Sequence, residues 1–437
     1  MSEFAGADLS HPDAVIRLAS AVHRFRCPEI QKGSRLSFQK AFRSTGAHSE
    51  TQALMKKADK DRGKLSELLV GKDKGTSVAY ESVATAAKNY LPSVNRILIT
   101  CKVQPEVARL DEKLVFEWCS GIEHEKKYFK SEALMYELVM TVGCEAMAKA
   151  GSACDYSIDG EFAASSREFQ AAAGMFQRLA TDQLPKWISR GSSVEQKDIP
   201  LESRVGVCEA FKTLFLAIAQ QMAVATVLIK PGVPKYSLVG KLCLGIADQM
   251  ETFVSVMRSK APESMEKIDN NLFTLITFQI NLHKGLSNYF MARGIWETHA
   301  DYGLAIAMMN GAIQLIKTRE HSGMEGLPEI KKTPLQSLSK DLTDLRAHMA
   351  LVLREWEKDN SQIYFSRVPR TIPEEKKLQK GLVMVKPTPY DIEEVEPALL
   401  ILPSARASLG RPIAPPPPAH NSDEEYAREL QRRLNMG

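Results

Sequence analysis

The chain of 437 residues carries almost no surplus of either charge: 57 Lys and Arg stand against 53 Asp and Glu, a net of +4. Affinity that rests on neutralising phosphates needs a larger cationic excess, so nucleic acid is not an expected partner. Paired cysteines are missing too. None of Cys27, Cys101, Cys119, Cys144, Cys154, Cys208 and Cys243 makes a Cys-x-x-Cys, and several sit in apolar runs, which predicts buried free thiols in a reducing compartment. The opening Met1-Ser2-Glu3-Phe4-Ala5-Gly6 holds no secretory signal, and position two is not the glycine that myristoylation needs. A cytoplasmic protein is expected.

Catalytic patterns are equally scarce. His124-Glu125-Lys126-Lys127-Tyr128 begins like a zinc helix, but Tyr128 stands where the second imidazole must be, so a solvated helix face is the better reading. In Gly71-Lys72-Asp73-Lys74-Gly75-Thr76-Ser77 the lysine does not follow the second glycine, which leaves a polar connector rather than a phosphate loop. No dinucleotide fingerprint and no serine nucleophile elbow occur, and Cys208 and Cys243 lie in apolar runs where a thiol is packing. The residues describe a non-enzyme with no metal and no cofactor.

What is present is helix. Between Lys212 and Lys230 no residue is charged, and the run from Phe215 to Ile229 is apolar on almost every side, as in a helix surrounded by other helices. A membrane span is the rival, but crossing a bilayer takes roughly 20 mostly apolar residues, and this shorter run holds Gln220, Gln221 and Thr226. Pro231-Gly232-Val233-Pro234 breaks it. Val239, Leu242, Ile246, Met250, Phe253 and Met257 then recur at steps of three and four, the mark of an amphipathic helix laid against the first.

Elsewhere the reading is similar. A first helix is expected from Asp13, ending near Cys27-Pro28, and a second helical region closes at Pro92. Ile97-Leu98-Ile99-Thr100-Cys101-Lys102-Val103 and Leu114-Val115-Phe116-Glu117-Trp118 read as the arms of a small β-hairpin. Further helices are marked by Leu134, Leu138 and Val142, by Phe162 to Leu179, by Ile268 to Tyr289 and by Tyr302 to Ile316. Thr333-Pro334 is a start signal for a heptad stripe of Leu335, Leu338, Leu342, Leu345, Met349, Val352 and Trp356. After Asn360 come short apolar runs in extended context, Ile363-Tyr364-Phe365 and Leu382-Val383-Met384-Val385, which should lie along the helical body. A proline-rich flexible linker (391–420) with Pro415 to Pro418 unbroken, and a short amphipathic helix (421–437), complete the reading.

Several of these stretches resemble the Bro-domain family of ESCRT-associated proteins. Asn360-Ser361-Gln362-Ile363-Tyr364-Phe365-Ser366-Arg367-Val368-Pro369, followed by Gly381-Leu382-Val383-Met384-Val385-Lys386-Pro387-Thr388-Pro389, is the most specific match. Phe169-Gln170-Ala171-Ala172-Ala173-Gly174-Met175-Phe176 and Leu216-Ala217-Ile218-Ala219-Gln220-Gln221 agree in order, with Gln221 in place of an acid. Tyr302-Gly303 agrees as well, with Leu304 in place of the usual acid. The resemblance implies a curved (banana-shaped), tetratricopeptide-like helical solenoid over 1–390, closest to the single-domain, BROX-type members. It implies an endosomal sorting scaffold whose concave groove receives the C-terminal amphipathic helix of an ESCRT-III subunit. A signalling adaptor of pH or phosphatase pathways, holding a different helical peptide, is the alternative.

Carried over by position, the family's groove contacts fall on Leu238 and Leu242, with Ala223 where an aromatic is usual, Met222 beside it, Asp159 at the acidic position and Ala163 in place of a lysine. No cysteine follows Cys243, so prenylation is not expected, and membrane association would come through partners. The terminal helix resembles a ubiquitin-interacting helix centred on Ala427, Leu430 and Gln431, and the proline run suits proline-motif-binding domains.

Overall fold

A computed structural model describes residues 13–33, 36–73, 78–188, 198–317 and 334–402. Its elements run α1 (Asp13–Ala19), β1 (Glu29–Ile30), α2 (Phe38–Ala41), α3 (Ser49–Asp73), α4 (Tyr80–Val103), β2 (Phe116–Cys119), β3 (Tyr128–Ser131), α5 (Leu134–Ile158), α6 (Phe162–Arg178) and α7 (Leu184–Ile188). There follow α8 (Val205–Leu228), α9 (Tyr236–Lys260), α10 (Pro262–Met265), α11 (Asn270–Glu297), α12 (Tyr302–Leu315) and α13 (Ser339–Asp359). The mostly helical class expected from sequence holds, with one small antiparallel sheet among the described residues. The chain divides into two units: Met1–Arg24, Ser152–Ala173 and Ala210–Thr388 form the first, and Phe25–Gly151, Gly174–Glu209 and Pro389–Gly437 the second.

In the first unit the charge-free run becomes α8. By length and composition this helix could cross a membrane, but 72% of its most apolar stretch is buried within the protein, the environment of a core helix. Gly232, at a φ of +102° that favours glycine, turns the chain into α9. There Val239, Leu242, Ile246, Met250, Phe253 and Met257 are all buried, as their spacing predicts. Phe211 meets Phe253 edge-on at 5.8 Å and Phe215 at 5.9 Å, and Phe215 in turn meets Phe169 of α6 at 5.9 Å. Helix α9 packs on α11, and α11 on α12.

The heptad stripe buries Leu342, Leu345, Met349, Val352 and Trp356 of α13, which packs on α1 and α12. A 3-10 turn, Pro334–Leu338, precedes that helix, and Thr333 lies outside the described residues. At its far end the expected extended run is instead a π-helical turn, Asn360–Tyr364. The Asn360 amide closes it, accepting from Ser366 N–H at 2.9 Å and donating to Ser366 O at 2.9 Å. Two stacked pairs pin the turn down: Trp296 on Trp356 at 4.5 Å and Tyr302 on Tyr364 at 3.6 Å.

The second unit corrects the expected hairpin. β2 pairs with β3 and also with β1, antiparallel in both cases, so the sheet has a third short strand. Ile97 to Val103 is not an arm of it but the last two turns of α4, and Pro92 sits inside that helix instead of ending it. Packing explains the override. Val83, Ala87, Tyr90, Val94, Ile97 and Cys101 recur at steps of three and four and are buried, so one continuous apolar face outweighs both the local β preference and the hydrogen bond that proline removes. Behind the sheet, buried Glu137 accepts from Trp118 Nε1 (2.6 Å), Arg62 Nε (2.8 Å) and the Tyr90 hydroxyl (2.9 Å). Likewise α1 is shorter than expected and ends at Ala19. His124 to Lys127 lie in the β2–β3 connection and Tyr128 opens β3, so this stretch is not a helix face, and Lys126 there bonds Glu29 at 2.7 Å.

Candidate protein-interaction surface

Residues 381–388 of the first unit run as an extended strap across three helices. Its seat depends on a pair of glycines: a Cβ on Gly381 would strike the backbone of Gly245 in α9, and a Cβ on Gly245 would strike the Leu382 carbonyl. At that contact the strap takes over polar groups of the helices. Leu382 N–H donates to the Lys241 carbonyl at 2.9 Å, and Gly381 N–H to Asp248 Oδ2 at 2.8 Å. Gln220 of α8, fully buried, is the clamp: its Nε2 donates to the carbonyls of Leu242 (2.9 Å) and Leu382 (2.8 Å), while its Oε1 accepts from Met384 N–H (3.0 Å). Further on, Thr388 N–H bonds the Gln170 carbonyl of α6 at 3.0 Å.

Cross-contacts fix the level of each helix against the next. Ser166 Oγ of α6 donates to Ala219 O of α8 at 2.8 Å, and Phe169 meets Phe215, so these two helices are antiparallel. Helices α8 and α9 are antiparallel as well, with Gln220 against Leu242 and Phe211 against Phe253. Counting turns from those contacts brings Ala163, Ala223 and Leu238 to one level across α6, α8 and α9. On α9, Leu238 shares a face with Lys241, Gly245 and Asp248, the residues that carry the strap; on α8, Ala223 lies one turn from Gln220. Three positions drawn from the family resemblance thus form a row beside the strap.

Exposure sorts these residues. Leu238 is 37% exposed, Ala223 half-buried, and Ala163 and Asp159 exposed. Leu242 is only 5% exposed and Met222 not at all, so neither offers a surface as the chain stands. Leu242 lies in the stretch of α9 that the strap covers, between Lys241, whose carbonyl accepts from Leu382 N–H, and Gly245, which Gly381 touches, and Met222 is rotated about 100° from Ala223, into the core. Sequence reasoning missed Leu382, Val383 and Met384, which are 38%, 45% and 62% exposed on the strap beside Leu238. Glycine inside the helical pattern, at Gly245 as at Gly240, was the available signal for a close approach. Four exposed lysines, Lys230, Lys235, Lys241 and Lys386, lie on these elements, and none has an ion pair among the described residues. Ala427, Leu430, Gln431 and the proline run lie outside the described residues. No group of three or more His, Cys, Asp or Glu able to hold a metal ion occurs among those described.

Comparison with known proteins identifies the family and the fold. The family model of the BRO1-like domain matches residues 77–404, and the chain belongs to that family. No curated protein matches. Three solved structures share the fold. "Structure basis for endosomal targeting by the Bro1 domain" has a TM-score of 0.63 at 16% identity, covering 84% of this chain and 92% of that one. "ALIX BRO1 CHMP4C complex" has a TM-score of 0.60 at 17% identity, covering 85% and 96%. "Crystal Structure of ALIX in complex with the SIVmac239 PYKEVTEDL Late Domain" has a TM-score of 0.61 at 17% identity and covers 85% of this chain but 49% of that longer one.

Proposed function

We propose that this chain is a non-enzymatic adaptor of the ESCRT pathway, holding the C-terminal amphipathic helix of an ESCRT-III subunit against the row Ala163, Ala223 and Leu238, with Asp159 at its edge. The observation that carries the reading is the levelling of that row on three adjacent helices. Residues far apart in sequence meet on one face, and the one large side chain among them, Leu238, is an aliphatic group left 37% exposed. Membership of the BRO1-like family and the likeness to a Bro1 domain solved with CHMP4C support it. A protein of this kind works in the cytoplasm and reaches endosomes through its partners. The terminal segment around Ala427, Leu430 and Gln431 is part of the same proposal as a ubiquitin contact, tested separately by titrating ubiquitin.

The test is fluorescence anisotropy of the full chain with labelled peptides spanning ESCRT-III C-terminal helices. At least one peptide binds, and Leu238→Asp weakens it about tenfold or more, since the leucine would be buried in the complex and a desolvated carboxylate is costly. Leu242 is unsuitable for this test, because a charge at a buried position strains the fold itself. Failure of wild type to bind any such peptide, or full binding by Leu238→Asp, would overturn the reading.

A further inference from the structure

We propose that an exposed apolar patch on the second unit, made by Val103, Leu399, Ile401 and Leu402, is the docking site of this chain's own segment 422–434, seated there as an amphipathic helix. Neither the patch nor its occupant depends on the functional reading above.

The patch arises from the way α4 holds the run 393–402. Arg96, Thr100 and Gln104 stand one turn apart on one face of that helix. Arg96 Nε donates to Glu396 O at 2.8 Å, Thr100 Oγ1 accepts from Ala398 N–H at 2.9 Å, and Gln104 Oε1 accepts from Leu400 N–H at 3.0 Å. A helix face with a repeat of four thus grips an extended run at alternate residues. Extended backbone turns successive side chains to opposite sides, so Ala398 and Leu400 are buried while Leu399 and Ile401 are turned out, 53% and 40% exposed. Leu402, 55% exposed, follows them, and Val103, 61% exposed, lies in the last turn of α4, between Thr100 and Gln104. Five large apolar side chains are exposed among the described residues of this unit, and four of them are these. Gathered apolar exposure of this kind marks a contact site.

The chain supplies the occupant. It leaves the patch at Leu402, and Ser422 comes 20 residues later, within about 65 Å even at full extension. From there Tyr426, Leu430 and Leu434 are spaced four apart, and at helical spacing they form one apolar stripe with Ala427. An isolated helix shorter than about 12 to 15 residues is marginal in water, so such a stripe needs a surface to order on. Two leucines and a tyrosine would hold weakly between separate molecules. A tether this short gives an effective concentration on the order of 1 mM, which fills a weak site. Charge agrees: Glu50, Glu106 and Glu396 are exposed beside the patch with no ion pair among the described residues, and the segment carries Arg428, Arg432 and Arg433.

Hydrogen exchange of the full chain tests the docking, with thermal melting as the control for folding. In wild type the amides of 426–434 should exchange severalfold more slowly than in Leu399→Asp with Ile401→Asp, two changes at exposed positions. Equal exchange in the two chains overturns the docking. Protection that grows with protein concentration overturns it as well, in favour of a second copy of the chain on the patch. A second measurement leaves the folded body unaltered. Leu430→Asp with Leu434→Asp frees the patch from the segment's side, so a fluorescent peptide of 421–437 should bind that chain about fivefold more tightly than wild type, whose site is filled. The same affinity for both chains sinks the proposal.

Discussion

At the scale of single residues, two buried acids show how differently a helical interior can meet a carboxylate. Glu137 is matched by an arginine, a tyrosine and a tryptophan, and its charge is spread over three donors. Glu202 is less well served. Its Oε1 accepts from Gly121 N–H at 2.7 Å and Ile122 N–H at 3.2 Å, its Oε2 has no partner among the described residues, and burial pushes its pKa up to about 7. The sign of the consequence is fixed by linkage. An unfolded glutamate releases its proton at about 4.3, so between there and about 7 the native state binds the extra proton and stability falls as pH rises. Urea midpoints should therefore drop from pH 5 to pH 7.5 in wild type, and Glu202→Gln should remove most of that slope. An unchanged slope in the variant means that some other group governs the pH dependence.

At the scale of elements, the strap and its clamp carry the clearest prediction. Gln220→Leu keeps the volume but leaves the Leu382 and Leu242 carbonyls and Met384 N–H without their partner, a loss of about 2 to 3 kcal/mol. Hydrogen exchange of the Met384 amide should accelerate sharply, with smaller changes in α11; equal protection in the variant contradicts the clamp. This is also where sequence reading reached its limit. Helices α9 and α13 were legible because apolar residues repeat at steps of three and four over many turns, and α8 because its run is free of charge and apolar on almost every side, signals that are local in sequence. The ends of the β-hairpin were not, because Ile97 to Val103 has strand-like composition and becomes helical only through packing of the whole α4 face. For the site, the resemblance supplied Leu238, Ala223 and Asp159 but also Leu242 and Met222, which the structure buries. Which side of a helix turns outward depends on neighbours more than a hundred residues away, and the strap that covers part of α9 comes from position 381 onward.

At the scale of the whole molecule, the question is where the folded body stops. A boundary at 390 follows from the proline-rich composition beyond it, yet in the second unit residues 393–401 lie on α3, α4 and the loop before them. Asn95 Nδ2 donates to Glu393 O (2.9 Å), Arg96 Nε to Glu396 O (2.8 Å), Thr51 Oγ1 to Leu399 O (2.6 Å) and Ile401 N–H to Thr45 O (2.8 Å). Thr100 and Gln104 bind the backbone of Ala398 and Leu400, whose side chains are 2% and 4% exposed. The family match, which runs to 404, includes the whole stretch. We therefore propose that the domain reaches at least Leu402 rather than stopping at Tyr390. Two truncations decide between these: a chain ending at Tyr390 loses one buried leucine and a run of backbone hydrogen bonds, together about 3 kcal/mol or more, relative to a chain ending at Leu402. The shorter chain should melt several degrees lower, with the difference seen in the second unit by hydrogen exchange at α4. Equal melting temperatures would mean that 391–402 only rests on the surface, and the boundary would return to 390.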